Sequence, residues 1–401
     1  MNNYVNILEI QNRYARLLVG YLLNGELKVT YTKEVKLTVP FKDGDILDAG
    51  SLSKDISSLL KIDERDLNFQ YDASGIILVL PSYGLEAYVS IKTTHTISKD
   101  SQINKLDVQN VFSLIEKERS NDNSSIVNIV PYGFYTEENN RMFVRAPIGN
   151  ISSFLTLKAY CYALPTKMIK DLQKCVNNAG FKIKNVLISS LCFNQVIKNS
   201  KSKYKNAIFV YFSDENTFVS LSNENFVINT INFGVGYVSL VSKMMNELKI
   251  SEETAKKLLF EFGFDDSTNT YNPLLVNDDV IREAKINKNK LNAYMLDFFK
   301  DWKIRLNNAI ITLLGEHAEF VDKLPILCVG KGFSKINGFK DFLTREFATN
   351  TCEFLRSNIV GVSYDEYIDL IGALYLDEEL SLNFKDNGAE TRVEVSLTKG
   401  V

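Results

Sequence analysis

Apolar and polar positions alternate along this chain in short runs, and their spacing sorts the runs into strands and helices. Residues 4–38 read as three strands, YVNILEI, YARLLVGYLLNG and ELKVTYTKEVKL, with Asn24-Gly25 as a hairpin turn. ASGIILVLPSY at 73–83 predicts another strand, introduced by Gly75 and ended by Pro81. Residues 84–165 predict a compact α+β unit. In it, EAYVSIKTTHTI alternates as a strand does, and Val108, Val111, Phe112 and Ile115 share one helical face. SIVNIVPYGFYT and RMFVRAPIG read as a further strand pair, and FLTLKAYCYAL closes the unit. Thr166 then caps a helix whose apolar stripe is Met168, Ile169, Leu172, Val176 and Ala179 and whose stop is Gly180. KIKNVLISSL follows as a strand.

The second half repeats the opening. FVYFSDENTFVSLSN, residues 209–223, has the outline of a β-hairpin, and FVINTINFGVG supplies a third strand. A helix over 237–249 follows, then SEETAKKLLFEFG, capped by Ser251 and ended by Gly263. Residues 264–285 are polar and turn-rich. A long helix over about 289–314 carries Leu291, Met295, Phe298, Trp302, Leu306, Ile310 and Leu313 at helical spacing. PILCVGKGFSKINGFKDFLTREF reads as strand, glycine loop and helix start, DEYIDLIGALYL as a last helix, and the tail beyond about 377 as polar.

A chain of 401 residues exceeds one ordinary core, so more than one subdomain is expected. Apolar residues make up 45% and charged residues 24%, a soluble globular balance, and a net charge of -3 gives no case for nucleic acid as a partner. The five cysteines (Cys161, Cys175, Cys192, Cys328, Cys352) form no Cys-x-x-Cys pair and read as buried free thiols of a reducing compartment. The two histidines, His95 and His317, sit beside no nucleophile motif, which argues against a Ser-His-Asp or Cys-His engine and against zinc. No stretch looks like a signal peptide, and no apolar run reaches the roughly 18–20 residues that span a bilayer. The expectation is a cytosolic protein or one attached to a membrane peripherally.

The doubled organisation, three strands with a turn near residue 10 and three more with a turn near residue 213, resembles the actin-like ATPase superfamily. The insertion at 84–165 narrows the resemblance to the FtsA family of bacterial cell-division proteins. The segments that carry it are NIVPYGFYTEENN…APIGN (128–150), MIKDLQKCVNNAGFKIKNVLISSL (168–191) and ETAKKLLFEFG (253–263), within a likeness covering about residues 1–380. It implies an α/β, actin-like duplicated fold of two ribonuclease-H-like halves with an inserted small α+β subdomain. The implied parts are 1–83 and 166–204 for the first half, 84–165 for the insertion, and 205–249 and 316–376 for the second core with its return helix. An outer subdomain at 250–315 and a polar tail at 377–401 complete the division.

The resemblance also names where nucleotide would sit, and there the chain departs from the family. The first phosphate turn, Asp-Ile-Gly-Thr-Ser-Lys in the family, is here Glu9, Ile10, Gln11, Asn12, Arg13 and Tyr14. The second, Asp-Ile-Gly-Gly-Gly-Thr-Thr-Asp, is Tyr211, Phe212, Ser213, Asp214, Glu215, Asn216, Thr217 and Phe218, so only Thr217 survives. A family Gly-Gly becomes Gly234-Val235 with Gly236 next, and the adenosine loop becomes Gly330-Lys331-Gly332. The family's Glu and Lys beside the adenine fall at Lys256 and Leu259. Glycine serves phosphate turns by permitting positive φ and by leaving backbone N–H groups open to close approach. Two like charges about 4 Å apart repel by roughly 4 kcal/mol at an effective dielectric near 20, which is on the order of a thousandfold in affinity. The expectation is therefore no cofactor and no catalytic residue, a pseudo-ATPase. ATP with Mg²⁺ enters only if Asp214 and Glu215 hold the metal facing the phosphates; otherwise that turn is a solvated hairpin tip.

What the resemblance leaves is interaction. It implies binding of the acidic-apolar FtsZ tail, self-association into filaments, and a location at the inner face of the membrane at the division site. Residues 281–305 hold seven Lys or Arg against three Asp or Glu, a basic surface suited to such a tail. Arg282, Lys285, Lys288 and Lys290 are the candidates, with Phe260 and Phe262 as apolar neighbours. The ending NFKDNGAETRVEVSLTKGV shows no amphipathic helical face; Val393, Val395 and Leu397 alternate as a strand would. Membrane tethering would then come from a partner or from a segment outside this sequence. The other readings are an ordinary ATP-binding FtsA homologue, a kinase- or chaperone-type enzyme of the superfamily, and a scaffold of another assembly such as a pilus machine.

Overall fold

The protein is described by a computed structural model. It covers residues 4–60, 75–118, 123–136, 139–199, 204, 206–223, 226–264, 288–347, 350, 352–357, 359–383 and 391–393. The chain divides into two compact units, residues 1–200 with 369–401, and residues 201–368.

The first unit opens with the expected meander: β1 (Val5–Ile10), β2 (Tyr14–Leu23) and β3 (Glu26–Lys36). Asn24 and Gly25 both take positive φ, the conformation that a two-residue hairpin turn with right-handed strand twist requires. Helix α1 (Ala49–Ser57) is capped by Asp48, which accepts from Ser51 N. Strand β4 (Ile76–Leu80) lies parallel to β1 and is buried along its whole length, so it reads as an unbroken apolar run.

The insertion follows: β5 (Glu86–His95), α2 (Lys105–Glu116), β6 (Ser124–Thr136), β7 (Asn139–Phe143) and β8 (Phe154–Pro165). Val108, Val111 and Ile115 of α2 are buried in a core with Phe134, Leu155 and Leu157, and Phe112 packs at its edge. The chain then returns through α3 (Thr166–Asn178), β9 (Ile183–Ile188) and α4 (Ser189–Asn199). Asn128 of β6 pins the insertion to β9, donating to the Val186 carbonyl (2.9 Å) and accepting from Ile188 N (3.1 Å).

The second unit repeats the plan: β10 (Asn206–Phe212), β11 (Thr217–Asn223), β12 (Phe226–Phe233), α5 (Tyr237–Leu248) and α6 (Glu252–Lys257). Helix α7 (Lys288–Leu314), β13 (Ile326–Val329), α8 (Lys331–Lys335), α9 (Phe339–Glu346) and β14 (Cys352–Phe354) complete it. Helix α10 (Tyr364–Leu382) carries the chain on into the residues of the first unit, and β15 (Thr391–Val393) pairs antiparallel with β7. The two main sheets have the same wiring, β3-β2-β1-β4-β9 and β12-β11-β10-β13-β14, each an antiparallel meander followed by two parallel strands. This is the duplicated actin-like fold.

Five local expectations change. Thr166 is the first helical residue rather than the cap: Ser124 pairs with Pro165, Thr166 N donates to the Asn123 carbonyl, and its hydroxyl pairs with Ser125 Oγ (2.7 Å). The β6–β8 ladder thus runs straight into α3. The strand at 182–191 stops at Ile188, because Ser189 already begins α4. The run ETAKKLLFEFG is no single α-helix. It widens at Leu258–Phe262 into a π turn, closed by Gly263 N donating to the Leu258 carbonyl five residues back (3.2 Å). The last helix continues through 377 to Leu382. The apolar stripe of α7 is buried from Leu291 to Ile310, but at its end Leu314 is the buried leucine and Leu313 is only partly covered.

Within the first unit, α10 crosses α4 at backbone distance. A Cβ on Gly372 would stand 1.8 Å from the Cys192 carbonyl oxygen, and backbone cannot give way as a side-chain tip can. Gly372→Ala is expected to destabilise the protein by about 3 kcal/mol, the upper end of overpacking costs, read as a lowered urea midpoint with an unchanged slope.

Candidate functional site: two closed turns

The first turn lies between β1 and β2. Gln11 N donates to the Tyr14 carbonyl (2.9 Å), and the carbonyls of Asn12 and Arg13 accept from Phe41 N and Leu37 N. None of Gln11, Asn12, Arg13 and Tyr14 adopts positive φ. Glu9, at the family's acidic position, faces Arg16 across the ladder, and both are fully buried. Gln11 Nε2 donates to Glu9 Oε1 (2.7 Å), Arg16 Nη1 stands 3.7 Å from Glu9 Oε2, and Arg16 Nε donates to Glu34 (2.6 Å). Tyr14, where the family has lysine, lies under the Arg16 guanidinium, 3.8 Å from its carbon.

A fourth member comes from a distant part of the chain. Asp369 of α10 is buried beside Glu9 and accepts from Gln11 Nε2 at 3.5 Å. Burial pushes its carboxyl well above the usual carboxylate range. The charge of Glu9 and a hydrogen bond with it push the same way, and Arg16 opposes them. Arg16 is thus the cation facing Glu9 and Glu34, and Asp369 beside them is the acid whose neutral form is favoured. The sequence held a trace of Asp369, a lone acid inside the apolar run IDLIGAL.

The second turn joins β10 to β11. Ser213 N donates to the Asn216 carbonyl (3.0 Å), and Ser213 Oγ bonds the same carbonyl (2.9 Å). Asp214 and Glu215 are half-buried, which corrects the picture of a solvated tip. The cause is α5: its first two N–H groups, Tyr237 and Val238, donate to the carbonyls of Ser213 (3.3 Å) and Asp214 (2.9 Å). Gly236 permits the approach, since a Cβ there would sit 2.2 Å from the Asp214 carbonyl oxygen. Gly234 has open space around it, with nothing nearer than Asn216 Oδ1 at 3.9 Å. Those helix N–H groups are the kind that bind anions elsewhere; here protein carbonyls hold them.

Thr217 is fully buried, and its hydroxyl is engaged twice. It donates to the Val235 carbonyl (2.7 Å) and accepts from the indole N–H of Trp302 (2.8 Å). Gly330 and Gly332 turn out to be packing glycines. Gly330 has φ 123, and a Cβ there would lie 2.4 Å from the Phe212 carbonyl oxygen. A Cβ on Gly332 would lie 2.1 Å from the Phe212 ring. Gly330 N donates to Asp365 Oδ1 (3.0 Å), and burial raises that carboxyl although the bond pulls it down. Lys331 is buried, its Nζ 3.8 Å from Glu366. Lys256, on α6, pairs with Glu252 one turn back, and Leu259 is core.

Of the basic candidates, Arg282 and Lys285 lie outside the described residues, and Lys288 begins α7. Lys290 is exposed on the first turn of that helix. Phe260 and Phe262 lie in the π turn, partly buried against the second unit's core, with Phe260 edge-on to Tyr237 at 5.6 Å. Among the described residues, no group of three His, Cys, Asp or Glu gathers as metal ligands would, and no helix is long and apolar enough to cross a membrane.

Comparison with known proteins agrees with the fold. The chain is 24% identical over 259 residues to the cell division protein FtsA of Streptococcus pneumoniae serotype 2 (strain D39 / NCTC 7466), a match covering 64% of this chain and 55% of that protein. It thus spans about half the length of the curated relative it matches. No protein-family model matches. Among solved structures, MreB 5 of Spiroplasma citri bound to AMPPNP covers 96% of this chain and 98% of its own, with a TM-score of 0.56 at 10% identity. The PilM-PilN type IV pilus biogenesis complex covers 96% and 99%, with a TM-score of 0.53 at 11% identity. These likenesses establish the actin-like ATPase fold.

Two measurements test the closed turns. Asp369 has a raised carboxyl in the folded state, so the stability it contributes is full below the unfolded value near 4 and is lost as pH rises toward the folded one. Asp369→Asn should therefore flatten the fall in urea-unfolding free energy between pH 5 and pH 8, a fall limited to about 1.4 kcal/mol per pH unit for one proton. Gly332→Ala should cost about 2–3 kcal/mol by overpacking, and pairing it with Phe212→Leu should recover part of that loss in a double-mutant cycle.

Proposed function

We propose that this chain is an actin-fold scaffold of the cell-division apparatus that works by holding other proteins, with ATP binding weak or lost. The observation that carries the reading is the engagement of both turns with the protein's own groups, although Glu9 Oε2 and Asp214 Oδ1 are buried without a hydrogen-bond partner among the described residues. The surviving Thr217 hydroxyl is spent on Trp302 and Val235, and Phe212 fills the space beside Gly330 and Gly332. Two half-buried carboxylates, Asp214 and Glu215, stand where a triphosphate would bring further negative charge. These residues do not fit a phosphate cradle, and no chemical step is assigned to one. The similarity to FtsA supports the division apparatus as the setting.

On this reading the partner is the acidic-apolar tail of FtsZ. It docks at the first turn of α7, where Lys290 is exposed, with Phe260 and Phe262 of the π turn as apolar contacts and the basic run at 281–305 drawing its charge. The widened turn supports the assignment, because such turns recur at functional sites. Further copies of the chain, and a membrane reached through a partner, are the remaining associations.

Isothermal titration with Mg-ATP should give a dissociation constant weaker than about ten micromolar, or no heat; binding tighter than that overturns the pseudo-ATPase reading. An FtsZ tail peptide followed by fluorescence anisotropy should bind, and the double charge reversal Lys288→Glu, Lys290→Glu should weaken it about tenfold. Unchanged binding in that variant removes the basic site, and no binding at all favours the pilus-type scaffold suggested by the PilM-PilN likeness.

A further inference from the structure

The second unit holds a thiol pair to which the proposed function gives no task. Cys328 lies on β13 and Cys352 on β14, the parallel strand at the sheet edge, with sulfurs 3.8 Å apart. The register sets Cys328 beside Phe354 and Cys352 beside Ile326, so the two cysteines are diagonal neighbours. Cys328 is buried and Cys352 is half-exposed. We propose that Cys328 and Cys352 are a hydroperoxide-responsive pair that closes to a disulfide between β13 and β14.

The two sulfurs are not equivalent. The Cys328 thiol is hydrogen-bonded to Cys352 and draws the latter below the ordinary thiol range, although burial opposes the shift. Burial and the neighbouring sulfur together push Cys328 well up. The cysteine nearer the surface is thus also the one whose thiol is held lower. The other three cysteines are buried: burial takes Cys161 up to about 12, raises Cys175, and drives Cys192 well above its ordinary value.

The chemistry balances with one hydroperoxide. The Cys352 thiolate attacks the terminal peroxide oxygen and the O–O bond breaks. Water or an alcohol leaves with a proton, and Cys352 becomes a sulfenic acid. Cys328 sulfur then attacks Cys352 sulfur. The S–S bond forms, the S–O bond breaks, and hydroxide leaves as water with the Cys328 proton. Two thiols lose two electrons and the peroxide gains them. Closing 3.8 Å to the roughly 2.05 Å of a disulfide requires the strands to shift, and β14 is the part able to move, as an edge strand of three residues. A bond formed under such strain is readily reduced again.

The test uses the full chain, reduced and then treated with hydrogen peroxide. Two of the five thiols should be lost without a change in oligomeric state, and peptide mapping without reductant should show Cys328 joined to Cys352, reversed by dithiothreitol. In Cys328→Ser, Cys352 should stop at a sulfenic acid trapped by dimedone. In Cys352→Ser, Cys328 should stay reduced. Both serine variants should keep a single cooperative unfolding transition, Cys328→Ser at a lower midpoint because it buries a hydroxyl, which separates lost chemistry from lost folding. The proposal is overturned if the parent's Cys352 proceeds to sulfinic acid with Cys328 still alkylatable, if the bond forms between chains, or if Cys352→Ser loses thiols as the parent does.

Discussion

Phe212 is the contact around which the second unit is organised. It ends β10, and its ring lies 5.3 Å from Trp302, 5.5 Å from Phe333 and 5.6 Å from Phe339. Such a ring fits only because Gly332 has no Cβ to place against it, while Gly330 makes the same allowance for the Phe212 backbone. Glycines that elsewhere leave room for a ligand here leave room for the protein's own aromatic core. Trp302 is then fixed within reach of Thr217, and Thr217 within reach of Val235. The residues of the second turn become parts of a packed interior.

The first unit reaches the same end by charge. A buried acid on β1 would be costly alone, since removing a carboxylate from water is repaid only by partners. Arg16 from β2, Gln11 from the turn and Asp369 from α10 supply them. Hydrocarbon packs beside one turn and a buried polar network beside the other. Neither turn adopts the positive φ on which phosphate cradles depend.

Two sheets wired alike at about 10% identity to their structural neighbours show how little of this fold is specified by particular residues. Layer architecture requires only apolar runs in the right order and turns of the right length. What a fold binds is decided by a few side chains at its loops. That is why likeness of fold by itself assigns no activity.

Periodicity and turn chemistry alone determined the order and kind of most elements: the Asn24-Gly25 hairpin, the α7 stripe from Leu291 to Ile310, the duplicated meander and the insertion at 84–165 are all legible because each is a local pattern. The replaced glycines of both turns were legible only through the resemblance to the FtsA family. The tertiary structure alone decided what those turns do with their side chains. Thr217 meets Trp302 across 85 residues, and Gln11 meets Asp369 across 358. Asp214 and Glu215 read as solvent-facing until α5 sets its N–H groups against the turn carbonyls. Hydrophobic spacing records which face of an element is buried, but it does not record which distant residue buries it. Contacts between distant residues therefore leave at most a faint mark, such as a single aspartate in an apolar helix.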